Sequence, residues 1–526
     1  MKKIFQFGLI VFVSLSANAQ QNIFSDSLKM KVDAHTFWWL GIIEDGYKMP
    51  ITKKYHADFR SNSFGNQVQP LLLSSKGEVI WSDASFVIDY SNNYLSLHGN
   101  KFQYNKAGET LKEAYHFASK NYFPPSGKMP DSLLFSKPQY NTWIELQYNQ
   151  NQEDILIYAK NILKNGLPAG VLMIDDNWQE DYGNWNFHPG RFANPKKMID
   201  SLHQMGFKVM LWVCPFVSPD SYLYRDLSEK KYFVTDSSGN PALIRWWNGV
   251  SAELDFTNPA ASEWFTSQLT NLRNNFGIDG FKFDAGDFEF YEKVSAFNKN
   301  ATANDQTEIY GKIGLDYPLN EYRAMWKMGG MPLGQRLHDK NHGFGDLQYL
   351  IPNMIAEGLN GYYFSCPDMI GGGDNTAFVN HLQLDEESIV RSAQCHALMP
   401  MMQFSVAPWR VLTKINFEAV KKAVAVREKF KNYILELANH SAISGEPILQ
   451  SMEYNYPHQG YEKIIDQFLL GDQLLVAPVL IKTSTERTVI IPEGKWKSFD
   501  GQIINGPKTI QIKVTINDLP YFEKIK

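Results

Sequence analysis

The stretch 277-GIDGFKFDAGD-287 decides how this chain folds. From Phe281 to Asp284 its pattern has a period of two, which puts Lys282 and Asp284 on one face of a strand and Phe281 and Phe283 on the other. A cation and an anion thus share the polar side of an otherwise apolar strand, a costly arrangement to bury. The stretch reads either as a structural ion pair closing a strand end or as the edge of a site.

Upstream of it, strands and amphipathic helices alternate, the mark of a parallel α/β arrangement. WIELQYN precedes the helical DILIYAKNILKNG, and GVLMIDDNW precedes NPKKMIDSLHQMG. KVMLWVCPF and ELDFTN come before NPAASEWFTSQLTNLRNNFG. Asn194-Pro195 and Asn258-Pro259 supply helix starts, and Gly206 and Gly277 supply stops. No glycine-rich phosphate turn follows any strand, so a (β/α)8 barrel is favoured over a doubly wound sheet. The barrel is expected over residues 136–437, ending with a helix from Phe417 to Ala438. A long polar and Gly-rich connection near 288–335 reads as an insert. Residues 20–135 carry short alternating runs and read as all-β, and 438–526 read as a small C-terminal β-domain.

The 526 residues, 44% hydrophobic and 14% aromatic, are enough for a large core and several domains. A net charge of -5 gives no electrostatic reason to bind nucleic acid or an anionic membrane. The first nineteen residues, with Lys2, Lys3, an apolar run and Ala17 and Ala19, read as a signal peptide cleaved after about Ala19. The mature protein is therefore expected to be exported, periplasmic or secreted, without membrane insertion. Cys214, Cys366 and Cys395 are too few for a disulfide framework and read as buried thiols.

Polar residues recur where barrel strands should end: Asp175 and Asp176 after GVLMI, Trp212 in LWVCPF, Asp284 after GFKF, and Asp368 after GYYFSCP. Any one of these carboxylates could be a local turn or helix cap. Several on one rim read as a site. The sequence has no HExxH, no histidine cluster at metal spacing, no GxSxG elbow and no P-loop, so neither metal nor cofactor is expected. Paired carboxylates with aromatics point to glycoside hydrolysis and an oligosaccharide or glycoside partner.

At this point the residues resemble glycoside hydrolase family 31, and within it the branch that contains the myogenesis-regulating glycosidase and bacterial α-galactosidases. GIDGFKFDAGD resembles the family's nucleophile strand and PDMIGGG its Asp-Ile-Gly-Gly turn. DQFLLGDQLLVAPVL with PEGKW resembles its C-terminal β-domain. The resemblance implies an N-terminal β-sandwich, a (β/α)8 barrel with an insert, and a retaining exo-α-glycosidase with Asp284 as nucleophile. Lys282 would hold the Asp284 pKa down and offer a donor to a sugar hydroxyl.

The family's Trp-x-Gly-Asp setting for the acid/base is missing. Thirteen residues before Pro352, matched to the family's proline, lies Asp339, which the resemblance makes the acid/base; Arg323, sixteen before it, would bind sugar. Asp346 is the competitor, its plainer reading being a helix N-cap. VLMIDDNWQ resembles the Asp-Asp-Gly-Trp strand end of related α-galactosidases, so Asp175 and Asp176 would hold the 4- and 6-hydroxyls of galactose. Lysine before the nucleophile also fits xylose or glucose. Trp212 and Trp247 are candidate pocket walls, and His338 and His342 could tune Asp339. Gln403 and Ser405 stand where many members carry Arg-x-His. A transglycosylase and a non-catalytic carbohydrate-binding relative remain alternatives.

Overall fold

The computed structural model describes residues 23–60, 65–378 and 384–525. The expected signal peptide, residues 1–19, lies outside them. Eight short parallel strands form the centre: β1 Gln139–Asn141, β2 Val171–Ile174, β3 Lys208–Val213, β4 Gly280–Phe283, β5 Leu319–Tyr322, β6 Gln335–Arg336, β7 Ser365–Cys366 and β8 Gln403–Phe404. β1 to β7 pair in chain order and β8 returns to pair with β1. A bridge from Met369 to Gln403 brings the end of β7 against β8, so the ring is all but closed.

Parallel strands covered on both faces read as continuous apolar runs, as Val171 to Ile174 does. Register sets the barrel interior. Trp212, Lys282 and Glu321 stand level on β3, β4 and β5, and Asp175 follows the Ile174–Leu211 pair into the same layer. At Gly280 the β5 backbone passes so close that a Cβ would lie 1.9 Å from the Leu319 oxygen, which requires glycine in GIDGF. The helices start as their sequence signals indicate: the Asn194 side chain accepts from the Lys197 N–H and Asn258 from Ala260.

Several details differ from the sequence reading. The first strand lies upstream of WIELQYN, whose Trp143–Leu146 forms a helical turn; Asn141 Oδ1 accepts from the Trp143 N–H and turns the chain there. Of the ELDFTN run only Glu253 is in a strand, the last residue of a hairpin, Leu243–Trp246 with Gly249–Glu253, that stands outside the barrel. The connection at 288–335 is only partly an insert, because β5 and the first residue of β6 fall inside it. It also contains Met325–Trp326, which pairs with Gln67 and Val68 and so joins the N-terminal sheet.

That N-terminal sheet is antiparallel apart from this added strand and is built from strands between Ile23 and Lys106. A helix over Leu111–Tyr122 with a Thr110/Glu113 capping box follows, inside the region read as all-β. The C-terminal region is a six-stranded antiparallel sheet reached through the helix Lys414–Ser444. No helix among the described residues is long and apolar enough to cross a membrane. All three cysteines are free and buried.

Candidate active site

The carboxyl ends of the strands open into a cavity of about 330 Å3. Its wall includes Asp175, Asp176, Trp212, Trp247, Lys282, Asp284, Arg323 and Asp339. These come from five strands, β2 to β6, and the connections that follow them, so only barrel closure assembles them.

Asp284 ends β4, and the chain then turns sharply through Ala285, whose φ of 56° is left-handed. The Asp284 side chain accepts from Trp212 Nε1 at 2.8 Å, from Arg323 Nε at 3.0 Å and from the Ala285 N–H at 3.1 Å. Burial pushes its pKa up, but the charges of Arg323, Lys282 and Arg336 outweigh burial and hold the carboxyl far below its usual range. Arg323 in turn donates to Asp287 at 2.7 Å and lies 5.2 Å from the Trp247 ring. Trp212 is fully buried, so its part is to fix Asp284 rather than to offer a broad sugar face.

Lys282 is not paired with Asp284. Its ammonium donates to Asp175 Oδ2 at 2.7 Å, and both side chains are almost completely buried. Asp175 also accepts from Asn141 Nδ2 at 2.6 Å and from the Asp176 N–H at 2.8 Å. Asp176 accepts from Tyr182 at 3.1 Å and from Asn248 Nδ2 at 2.5 Å. Burial and the neighbouring Asp175 push the Asp176 carboxyl up to about 7. Asn248 sits beside Trp247 at the hairpin tip, where it also accepts from the Tyr148 hydroxyl at 2.6 Å.

Asp339 stands three residues beyond β6 and is 45% exposed at the cavity wall. Arg336 Nη1 donates to it at 2.6 Å and to Asp368 at 2.9 Å. Burial lifts Asp368 to about 7 against the pull of Arg336, whereas at Asp339 the charges of Arg336 and Lys282 outweigh partial desolvation in the cavity and hold it below its ordinary value. Two carboxylates on one guanidinium titrate as a pair.

Asp368, expected at the sugar, is instead fully buried behind Arg336 and absent from the cavity wall. Its position at φ 77° aims the carboxylate inward, at Arg336 and the Lys340 N–H. Asp346 is not the N-cap, which is Gly343; it lies in the first turn, accepts from Asn341 and faces away from this cavity. His342 joins loops, bonding to the Gly371 carbonyl and accepting from the Asp385 N–H. Gln403 and Ser405 are buried, bonded to Glu321 and to the Ile144 N–H. Among the described residues no cluster of His, Cys, Asp and Glu could hold a metal ion.

Arg336, Trp143, Tyr148 and Asn248 are site residues that sequence reasoning missed. An Asn-Gly pair between two strand-like runs marks the hairpin tip in RWWNG and could have exposed Asn248.

Residues 133–437 match the description Glycosyl hydrolases family 31 TIM-barrel domain, more than half of the chain. The chain belongs to glycoside hydrolase family 31. Residues 445–525 match that family's C-terminal domain. Among curated relatives, a myogenesis-regulating glycosidase of Mus musculus is 33% identical over 79% of this chain and 60% of its own length. An alpha-xylosidase of Lactiplantibacillus pentosus is 25% identical over 84% of this chain and 60% of its own length. The family 31 chain thus spans 60% of the length of each of these two relatives. Among solved structures, a Flavobacterium johnsoniae GH31 dextranase complexed with glucose superposes with a TM-score of 0.83 at 20% identity, covering 95% of this chain and 66% of that one. A soil-metagenome GH31 alpha-xylosidase complexed with xylose gives 0.82 at 20% identity, covering 97% and 82%. At these identities the likeness is one of fold.

Proposed function

We propose that this protein is a retaining, exo-acting α-glycosidase, an α-galactosidase by preference, that removes terminal α-linked sugars through a covalent glycosyl-aspartate intermediate. One observation carries the reading: a buried carboxylate, Asp284, held ionised by Arg323 and Lys282 and hydrogen-bonded by Trp212, opens onto a cavity that also holds Asp339. A cavity of about 330 Å3 suits one sugar ring and the start of a leaving group, which fits exo action.

In the first step an Asp284 oxygen bonds to the anomeric carbon while the bond to the leaving oxygen breaks, and Asp339 gives that oxygen its proton. In the second, Asp339 takes a proton from water, the water oxygen bonds to the anomeric carbon, and Asp284 departs as carboxylate. Retention requires the two carboxyl groups about 5 to 5.5 Å apart. Asp339 shares Arg336 with Asp368, whose carboxyl is pushed up to about 7, so the pair, and not Asp339 alone, holds the proton that Asp339 delivers.

For the sugar, Asp176 and Lys282 line the cavity beside Asp175. Hydrogen bonds to buried polar groups discriminate well against an epimer that leaves them unmade, which favours galactose through its axial 4-hydroxyl. Relatives named alpha-xylosidase and isomaltosyltransferase keep xylose and transfer to a sugar acceptor as the competing readings.

A panel of nitrophenyl α-glycosides tests the reading. The α-galactoside is expected to be the best substrate, Asp284→Ala and Asp339→Ala are each expected to lose ~10²-fold or more, and azide is expected to restore Asp284→Ala as the β-glycosyl azide. A folded protein that hydrolyses no α-glycoside would sink the enzymatic reading in favour of carbohydrate binding. Export is part of the same proposal; mass spectrometry of protein recovered outside the cytoplasm should find a mature chain beginning after Ala19.

A further inference from the structure

We propose that Glu44 and Asn66, which belong to the N-terminal sheet region and not to the barrel, are positioning residues for Asp339. The proposal rests on the reading of Asp339 as acid/base.

Residues 65–67 run along the ends of β5 and β6. Gly65 has a φ of 68° and packs so closely on Arg323 that a Cβ there would lie 1.7 Å from Arg323 Nη1. Gln67 Nε2 donates to the Arg323 carbonyl at 2.7 Å and to the Arg336 carbonyl at 3.0 Å. Between them, Asn66 Oδ1 accepts the His338 N–H at 2.8 Å, and its amide donates to Glu44 Oε2 at 2.6 Å. The same Glu44 oxygen lies 3.0 Å from His338 Nε2 and 3.2 Å from Lys340 Nζ.

Both chain neighbours of Asp339 are therefore fastened to one carboxylate. Side chains two apart point the same way along an extended segment, so pinning His338 and Lys340 on the Glu44 side turns Asp339 to the cavity between them. Burial and the charges of Lys340 and Arg323 push the His338 ring down to about 3. It therefore stays neutral, and its single N–H is directed at Glu44.

Asp339 needs this outside restraint because it already has a strong partner. Arg336 at 2.6 Å draws the carboxyl toward the barrel and favours its ionised form. A loop freed from Glu44 and Asn66 would leave the Asp339 side chain aimed by Arg336 alone, free to swing about that contact. Displacements near 1 Å in a proton donor can cost about 10²-fold in rate. On the barrel side the loop keeps two further ties, the Lys340 N–H to Asp368 and the Gly373 N–H to the Lys340 carbonyl, so losing the clamp weakens positioning without unfolding the loop.

The test compares two glycosides of whichever sugar the wild type cleaves, one with a dinitrophenol leaving group that needs no protonation and one with a methoxide that does. Glu44→Gln, which keeps the volume, and Asn66→Ala are each expected to lower kcat/KM about 10- to 100-fold on the methyl glycoside and less than ~3-fold on the dinitrophenyl glycoside. Asp339→Ala should show the same asymmetry, larger. Equal losses on both substrates, or no loss on either, beside an asymmetric Asp339→Ala overturn the clamp and leave the acid/base reading standing. A symmetric Asp339→Ala overturns the acid/base assignment and the proposal with it. Circular dichroism melts of the variants separate misfolding from mispositioning, and the dinitrophenyl rate reports the intact nucleophile in the same sample.

Discussion

At the scale of single residues, the site is a contest between burial and partner charge. Asp284 and Asp176 are both buried, yet the first lies well below the usual carboxylate range and the second near 7. Asp284 faces Arg323 and Lys282, whereas Asp176 faces Asp175 and receives only the neutral donors Tyr182 and Asn248. An Asp whose folded pKa exceeds its unfolded value binds more protons folded than unfolded between the two, so stability falls as pH rises from about 4 to about 7. Asp176→Asn should therefore stabilise the fold more at pH 8 than at pH 4, by on the order of 1–4 kcal/mol, and raise the melting temperature accordingly, while lowering activity. Scanning calorimetry at the two pH values checks this; an equal shift at both would refute it. Asp284 and Lys282 were legible because a period of two fixes the face they share, but the partner of Lys282 was not. Asp175 lies 107 residues away and meets Lys282 only through strand register.

Among the elements, the hairpin Leu243–Trp246 with Gly249–Glu253 brings Trp247 and Asn248 over the cavity. Asn248 links Tyr148 on the β1 side to Asp176 on β2 and bonds to Tyr182. Replacing it with Ala should leave the barrel intact and raise KM about 10-fold with a smaller change in kcat, because it loosens a cavity-facing carboxylate, the proposed sugar contact, without touching Asp284 or Asp339. Steady-state kinetics decide; a fall in kcat alone would refute this role. Long amphipathic helices were legible from their caps and apolar faces. The strands β6, β7 and β8 were not, since two residues each are too short to show a period. That is why Arg336 escaped notice in MPLGQRLHD.

For the whole molecule, three regions act as one support. Met325–Trp326 carries the β5 to β6 crossing into the N-terminal sheet, which brings Glu44 and Asn66 to the Asp339 loop. On the opposite side Arg427 of the helix Lys414–Ser444 is fully buried, donating to the carbonyls of Ala397, Met399, Phe135 and Pro400. Arg427→Met would leave those carbonyls unpaired and should cost on the order of 3 kcal/mol. A thermal melt unchanged from wild type would refute this.

The chain's own order of residues determined the (β/α)8 class, the C-terminal sheet, and the face on which Lys282 and Asp284 lie, because periodicity and capping are local properties. Tertiary structure alone decided which charges meet: Lys282 with Asp175, Asp284 with Arg323 and Trp212, Asp339 with Arg336, and Asp368 turned from the cavity. Those partners sit on different strands, and a coulombic interaction depends on distance in space after the barrel closes, not on separation along the chain.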